Sequence, residues 1–254
     1  MVLIYKSFVN LIPLETNSKF LYIIQTLRYR MKTCFKDSTD NAFKKILRFF
    51  VKKDSIVLDL TYGRGLSWKK VEKDHKVIKV DKRKLFAEVI RSDFNEYLKK
   101  KKSSSVDCIY FDPPYYFKEK ITEFDIKSQM FDEEKEVFWT QRNFEKSLNS
   151  LQSDVPRVLK EKGTFIVKIM DGYIGKKYYP LAFNIFNKMS KVLYPIGTFI
   201  CPINKKDNVS NLIRTNHIYY LVFKKTKSRK SFNMNPFFFR KRTKNSPLSR
   251  LSDI

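Results

Sequence analysis

Four aspartates come at or directly after the ends of four successive apolar runs: Asp59, Asp81, Asp93 and Asp112. If these runs are parallel strands, their carboxyl ends meet at one edge of a sheet, which is the edge where such sheets bind ligands. Carboxylates gathered there accept hydrogen bonds from hydroxyl and amino groups, and they attract positive charge. The pattern therefore predicts a site for a positively charged ligand without phosphates, lined by carboxylates and not by lysines.

The loop TYGRG, which follows Asp59, contains two glycines that favour a ligand site. Gly63 and Gly65 lack a Cβ and so permit a ligand to approach the backbone closely. Asp81 lies 22 residues beyond Asp59, near the spacing of about 20 residues at which an acid meets ribose hydroxyls in nucleotide folds. A dinucleotide-binding GxGxxG motif is excluded because position 68 is Trp68, and the chain has no GxxxxGK[ST] phosphate loop.

The strongest apolar run continues into the segment VDCIYFDPPYYF, residues 106–117. Asp112 is followed there by Pro113, Pro114 and Tyr115. Consecutive prolines restrict the backbone, so this turn holds a carboxylate and a backbone carbonyl in fixed positions beside an aromatic ring. The simpler alternative is a turn that only ends the strand.

Short apolar runs and helical spacing alternate along the chain. Seven runs are interpreted as strands: Ser55–Leu60, Lys76–Val80, Ala87–Arg91, Val106–Phe111, Gly163–Met170, Pro195–Cys201 and His217–Lys225. Helical spacing occurs over Asn41–Val51, Glu133–Leu159 and Leu181–Leu193. Strands that are apolar throughout and alternate with helices indicate an α/β fold, with a parallel sheet covered on both faces.

The net charge of the chain predicts a polyanionic partner. The 254 residues include 52 Lys and Arg against 26 Asp and Glu, which gives a formal charge of +26. Such an excess attracts nucleic acid, although a lysine bias from an AT-rich genome would explain part of it. A hydrophobic content of 43% is compatible with a folded core and argues against a disordered polyelectrolyte.

The cysteines and the apolar segments exclude several classes of protein. Cys34, Cys108 and Cys201 are scattered and the chain has two histidines, so we expect neither a zinc ribbon nor another metal site, nor a disulfide framework. No segment approaches the roughly 20 apolar residues that span a bilayer. The amino-terminal segment lacks a basic leader and a cleavage site, so an intracellular protein without a membrane partner is expected.

Three segments together resemble a known family. LDLTYGRG (58–65) followed by FDPPYYF (111–117) resembles the class I S-adenosylmethionine-dependent methyltransferases that modify exocyclic amino groups of bases, in which DPPY is the target-amine motif. TNHIYYLVFKK (215–225) is similar to a late strand of DNA amino-methyltransferases, and the combination most resembles small DNA methylases of phages and plasmids. The match spans roughly residues 41 to 225, with Leu60 and Thr61 where the family usually has Pro-Phe. It implies a Rossmann-like, doubly wound sheet, mostly parallel with one antiparallel late strand.

The resemblance also implies roles for individual residues. The catalytic turn would comprise Asp112, Pro113, Pro114 and Tyr115. The cofactor, S-adenosyl-L-methionine, would be bound by Asp59, Gly63, Gly65, Asp81 and Asp93. Of these, Asp59 and the glycines would face the methionine part, Asp81 the ribose and Asp93 the adenine. For Asp93 the alternative is an N-terminal cap of a helix that begins near Asn95.

Three functions are compatible with these features. The first is a DNA amino-methyltransferase that acts on adenine N6, because aspartate in the first motif position is more usual in adenine enzymes and serine in N4-cytosine enzymes. The second is an RNA methyltransferase that acts on adenine N6 or guanine N2. The third is a catalytically silent nucleic-acid binder. The late strand favours DNA over RNA, and the lack of an evident target-recognition domain favours RNA.

The sequence divides into three parts. We expect an amino-terminal extension over residues 1–40, a catalytic domain over 41–225 and a basic, partly disordered tail over 226–254. The acidic segment 117–138 is interpreted as a lid or a substrate loop, because a long insertion beside a site often has that role. The tail mixes basic and aromatic residues, which suits contact with a nucleic-acid backbone and its bases.

Overall fold

A computed structural model describes residues 32–114, 140–174, 177–203 and 216–226. Within these ranges the strands are β1 (Ile56–Asp59), β2 (Lys76–Asp81), β3 (Ile90–Arg91), β4 (Val106–Phe111), β5 (Leu159–Ile169), β6 (Gly172–Ile174), β7 (Lys177–Tyr179), β8 (Tyr194–Pro202) and β9 (His217–Lys224). The α-helices are α1 (Thr39–Phe50), α2 (Phe94–Lys100), α3 (Gln141–Val158) and α4 (Leu181–Ser190). Two short 3-10 helices, Leu66–Trp68 and Glu72–Asp74, connect β1 to β2.

Seven of these strands form one sheet in the order β3-β2-β1-β4-β5-β9-β8. Neighbouring strands from β3 to β5 are parallel, and β9 runs antiparallel to both β5 and β8. The strand order changes direction between β1 and β4, so the carboxyl ends of these two strands border a crevice. The structure confirms the predicted doubly wound, mostly parallel sheet with one antiparallel late strand.

Apolar side chains cover both faces of the sheet, as β4 shows. Ile109 and Phe111 pack into the core formed with α2, α3 and α4, whereas Cys108 and Tyr110 face the core on the α1 side. Successive side chains of a strand point to opposite faces, so a strand covered on both faces is apolar throughout. Fully burying a side chain such as Phe111 contributes about 1.5–3 kcal/mol. The helix α1 adds one helical face to the second core: Ala42, Phe43, Ile46 and Leu47.

Several predicted boundaries were wrong, and local backbone geometry explains the largest error. β5 begins at Leu159, directly after α3, and not at Gly163. Its first residues pass through a turn at Lys162, which has a φ of 63°, before Thr164 pairs with Cys108. The turn interrupts the apolar pattern by which a strand is recognised in a sequence.

Other elements differ in length from the predictions. The third strand was predicted over Ala87–Arg91 but has two residues, and α4 ends at Ser190, before the predicted end at Leu193. Of the helix predicted over Glu133–Leu159, the described part begins at Gln141 and ends at Val158. The β6–β7 hairpin was not predicted. Its strands have three residues each and are too short to show a periodic pattern.

The described part of the predicted amino-terminal extension lies along the outer edge of β8. The Phe35 N–H donates to the Ile200 carbonyl at 2.8 Å, and the Ile200 N–H donates to the Thr33 carbonyl at 2.7 Å. Covering the edge in this way removes unpaired backbone groups that would otherwise attract another strand. Among the described helices, none is both long and apolar enough to cross a membrane.

Candidate active site

A cavity of about 740 Å³ lies at the carboxyl ends of β1, β2 and β4. Seven of the nine residues predicted for the site line it: Asp59, Gly63, Asp81, Asp93, Asp112, Pro113 and Pro114. Gly65 is not among the lining residues, and Tyr115 lies outside the described residues. A volume of this size is typical of sites for small organic ligands and cofactors. The doubly wound topology therefore brings the predicted residues into one concave site.

Asp59 is a buried carboxyl group that organises the loop after β1. Its Oδ1 accepts the Thr61 N–H at 2.9 Å, and its Oδ2 accepts the Trp68 Nε1–H at 2.5 Å. The pKa of Asp59 is raised from 3.8 to about 7: burial is the largest cause, the two hydrogen bonds oppose it, and the nearby carboxylates of Asp112 and Asp81 add to the rise. The indole of Trp68 thus holds the loop to Asp59. Trp68 is the residue that excludes the dinucleotide-binding motif.

The two glycines of this loop have left-handed backbones but different surroundings. Gly63 has a φ of 53°, and a Cβ there would come no closer than 3.6 Å to the Arg83 guanidinium. Gly65 has a φ of 66°, and a Cβ there would lie 2.6 Å from the Tyr62 hydroxyl oxygen. Gly63 therefore keeps backbone exposed to the cavity, whereas Gly65 permits Tyr62 to pack behind the loop.

Asp81 connects the loops after β1 and β2. Its Oδ2 accepts the Gly63 N–H at 2.7 Å, and its Oδ1 accepts the Arg83 N–H at 2.9 Å and the Arg83 Nε–H at 3.2 Å. A carboxylate has about four lone-pair positions, so further hydrogen bonds to a ligand are compatible with these contacts. The side chain is 9% exposed and lines the cavity.

Asp93 is a helix cap, as one of the two alternatives predicted, and it also lies in the cavity lining. It is the N-cap of α2, where its Oδ1 accepts the Asn95 N–H at 2.9 Å, and it also lines the cavity. Asn95 lines the cavity too, and its buried Oδ1 has no hydrogen-bond partner among the described residues. A buried carbonyl oxygen of this kind is costly unless a donor reaches it. A ligand amino group at this end of the cavity would supply such a donor.

Asp112 is held at the end of β4 by contacts that sequence analysis did not predict. Its N–H donates to Thr61 Oγ1 at 2.8 Å, which connects the Asp-Pro-Pro turn to the loop after β1. Its Oδ2 accepts the Tyr110 hydroxyl at 3.3 Å and the Lys168 ammonium at 2.7 Å. Thr61 is one of the two residues that depart from the family pattern, and its hydroxyl provides this connection.

The prediction that lysines would not line the cavity was wrong. Five cationic residues line it together with the carboxylates: Arg64, Lys82, Arg83, Lys146 and Lys168. Arg83 and Lys168 contact aspartates of the site directly. One signal in the sequence could have identified Lys168, because it is a charged residue inside the apolar run GTFIVKIM.

Asp171 is a further strand-end carboxylate, and it lies outside the lining of the cavity. Its Oδ2 accepts the Tyr178 hydroxyl at 2.7 Å, and its Oδ1 accepts the Ala182 N–H at 2.8 Å. It thus joins the β6–β7 hairpin to the first turn of α4. Among the described residues, no group of three or more His, Cys, Asp or Glu side chains is arranged to hold a metal ion.

A model of the N6_N4_Mtase family, described as DNA methylase, matches residues 106–250 of the chain. The matched region covers more than half of the sequence and includes the Asp-Pro-Pro turn, Lys168 and the antiparallel strand β9. The chain belongs to this family of DNA methylases. Asp59, Asp81 and Asp93 precede the matched region, so their assignment depends on the cavity geometry.

The solved structures to which the chain is similar share little sequence identity with it. A protein from Thermus thermophilus, provisionally described as a DNA modification methylase and complexed with S-adenosyl-L-methionine, is 18% identical with a TM-score of 0.37; the match covers 53% of this chain and 51% of that one. A SAM-dependent methyltransferase from Archaeoglobus fulgidus is 15% identical with a TM-score of 0.45, over 82% of this chain and 100% of that one. The cytosine-N4-specific PvuII DNA methyltransferase is 16% identical with a TM-score of 0.40, over 53% and 48%.

The chain spans about half the length of the Thermus thermophilus structures. No curated protein matches it. The family assignment therefore rests on the sequence match over residues 106–250 and not on these structures.

Proposed function

We propose that the protein transfers a methyl group from S-adenosyl-L-methionine to the exocyclic amino group of a base in DNA, with adenine N6 as the target. The observation that carries this proposal is the position of Asp112 and Pro113. Both line the same cavity as Asp59, Gly63 and Asp81, so the proposed cofactor site and the proposed target-amine site would adjoin each other. Membership of the DNA methylase family supports the proposal independently.

The residues of the cavity fit the proposed cofactor. When bound, S-adenosyl-L-methionine supplies an electrophilic methyl group on a positively charged sulfonium. Asp81 would accept ribose hydroxyls, and the Asn95 Oδ1 beside Asp93, which has no hydrogen-bond partner among the described residues, would accept the adenine amine. Asp59 and the Gly63 backbone would face the methionine part, where a carboxylate attracts the cation.

The Asp112 turn would prepare the target amine for attack. An exocyclic amine is a poor nucleophile because its lone pair is delocalised into the ring. The Asp112 carboxylate and the Pro113 carbonyl would accept its two N–H bonds and orient the lone pair toward the methyl group. Acceptors that are held in place before the reaction stabilise the positive charge that develops on nitrogen. Tyr115 is predicted to stack on the base, which must leave the helix to reach the cavity.

The proposal also specifies which base is methylated and in which nucleic acid. The aspartate at position 112 favours adenine N6, with cytosine N4 as the second candidate. RNA methylation at adenine N6 or guanine N2 and a catalytically silent nucleic-acid binder are the alternatives. The net charge of +26 suits contact with a phosphate backbone in each case.

The deciding experiment uses a labelled cofactor. The protein is incubated with labelled S-adenosyl-L-methionine and either plasmid DNA or total RNA, and the nucleic acid is then digested to nucleosides. We expect label in N6-methyl-2′-deoxyadenosine from the DNA. Label in RNA nucleosides alone would overturn the DNA assignment, and a folded protein that binds the cofactor but modifies neither would indicate the silent binder.

Two variants test the role of Asp112 within that assay. Asp112→Ala should lower the rate by a few hundredfold, about 3–4 kcal/mol by comparison with the loss of one oxyanion-hole donor, while cofactor affinity persists. Asp112→Asn keeps the shape and one acceptor oxygen, so it should retain measurable activity. An unchanged rate in Asp112→Ala would show that the turn only ends the strand.

A further inference from the structure

Lys168 occupies a position in the cavity that the proposed reaction leaves unused. It lies on β5, and its Nζ is 2.7 Å from Asp112 Oδ2, with the two side chains 14% and 19% exposed. Moving a lysine out of water is costly, and a single ion pair recovers that cost only in part. Stability alone is therefore a weak reason for a lysine beside the catalytic carboxylate.

The ammonium can serve a ligand as well as Asp112. A lysine carries three N–H donors, and Asp112 is the partner that the structure gives to this ammonium. Both side chains line the cavity. Together they present a hydrogen-bond acceptor and, directly beside it, a donor.

This acceptor–donor pair matches the Watson–Crick edge of some bases and not of others. In adenine, the N6 amine is next to the N1 acceptor, and in cytosine the N4 amine is next to the N3 acceptor. In guanine, the N2 amine has N1–H on the Watson–Crick side, which is a donor and would face the ammonium, and its other neighbour, N3, lies on the sugar side of the base, away from that edge. Enzymes that act on a flipped base read it by hydrogen bonds to this edge.

We propose that Lys168 donates a hydrogen bond to the ring nitrogen beside the target amine, N1 of adenine or N3 of cytosine, while Asp112 accepts the amine. The site then takes adenine or cytosine and rejects the N2 amine of guanine. The inference rests on the proposed function, since that function brings the base edge to Asp112. It adds a residue that determines which base is accepted.

A comparison of two bases in two proteins tests this contact. Binding of single strands of twelve 2′-deoxyadenosines and of twelve 1-deaza-2′-deoxyadenosines, in which a C–H replaces N1, is measured with S-adenosylhomocysteine present. Phosphate contacts are the same for both strands, so they cancel in the ratio of affinities. The wild-type protein should prefer the adenine strand about tenfold, as expected for a hydrogen bond to a charged group. Lys168→Met should bind the two strands equally.

Two further variants separate the contact from general effects of charge. Lys168→Arg keeps donors at the position and should retain part of the preference. Lys160→Met is the matched control, because Lys160 is also on β5 and forms an ion pair with Asp107, at 2.9 Å, but does not line the cavity. It should keep the wild-type preference. Cofactor affinity and a melting curve establish that each variant is folded.

The outcomes distinguish this inference from the proposed function. Equal binding of both strands by the wild type, or a preference that persists in Lys168→Met, overturns the role of Lys168. Strand binding needs no turnover, so the absence of methyl transfer would refute the proposed function while the base preference could still be seen. Label in N2-methylguanosine in the nucleoside assay would contradict the rejection of guanine directly.

Discussion

Replacing Gly65 with alanine should destabilise the protein much more than the same replacement at Gly63, two residues earlier. Both backbones are left-handed, with φ of 66° and 53°, so each alanine has a strain of about 1–2 kcal/mol. At Gly65 the new Cβ would also lie 2.6 Å from the hydroxyl oxygen and 2.8 Å from Cζ of Tyr62. Tyr62 is 9% exposed, packs in the core on the α1 side and also lines the cavity, so its ring must leave this core packing or the loop must shift.

The difference between the two variants follows from this contact. Overpacking a buried site costs about 1–3 kcal/mol, which adds to the backbone strain at Gly65 but not at Gly63. Gly63→Ala should therefore lower the free energy of unfolding by about 1–2 kcal/mol, and Gly65→Ala by about 2–5 kcal/mol. Urea titration of the two variants and the wild type, with the same slope in each, measures the difference.

Cofactor affinity should follow the opposite order. Gly63 lines the cavity and Gly65 does not, so calorimetry with S-adenosylhomocysteine should show the larger loss in Gly63→Ala. A second substitution, Tyr62→Ala, should offset part of the destabilisation in Gly65→Ala but none of it in Gly63→Ala. Equal stabilities of the two single variants would refute the argument that Tyr62 packs against Gly65.

Three further predictions concern the carboxylates of the site. Because burial raises the pKa of Asp59 from 3.8 to about 7, the folded state holds this proton more tightly than the unfolded state does. The free energy of unfolding should therefore fall by about 4 kcal/mol as pH rises from about 4 to about 7 and then level off. Urea titrations at several pH values should show this fall in the wild type and not in Asp59→Asn. The same pH dependence of the unfolding free energy in both proteins would contradict the prediction. Trp68→Phe removes the indole donor to Asp59 and should cost about 1.5–3 kcal/mol in the same assay, whereas no loss would mean that the hydrogen bond is dispensable. Asp81→Asn should weaken S-adenosylhomocysteine binding about tenfold by calorimetry if the carboxylate accepts ribose hydroxyls, and unchanged affinity would place the ribose elsewhere.

Local patterns in the sequence determined the fold class and the carboxylates that line the cavity. A strand buried on both faces must be apolar throughout, so Val106–Phe111 could be predicted with the same bounds that β4 has in the structure. Parallel strands with helical connections place their carboxyl ends at one edge, and therefore Asp59, Asp81 and Asp112 could be assigned to one site before any coordinates. These features depend on residue type and on short-range spacing, both of which are visible in a sequence.

The partners of those carboxylates were decided by the tertiary structure. Lys168 contacts the Asp112 carboxylate although 56 positions separate them in the sequence, and Thr61 accepts the Asp112 N–H from 51 positions away. No periodicity links residues so far apart, because their contact depends on β4 pairing with β1 on one side and β5 on the other. The direction in which each side chain points follows from that register, since a shift of one residue would turn Lys168 to the opposite face of the sheet. The sequence by itself thus determined which carboxylates share a site. Strand pairing in the tertiary structure decided that the ammonium of Lys168 lies beside Asp112.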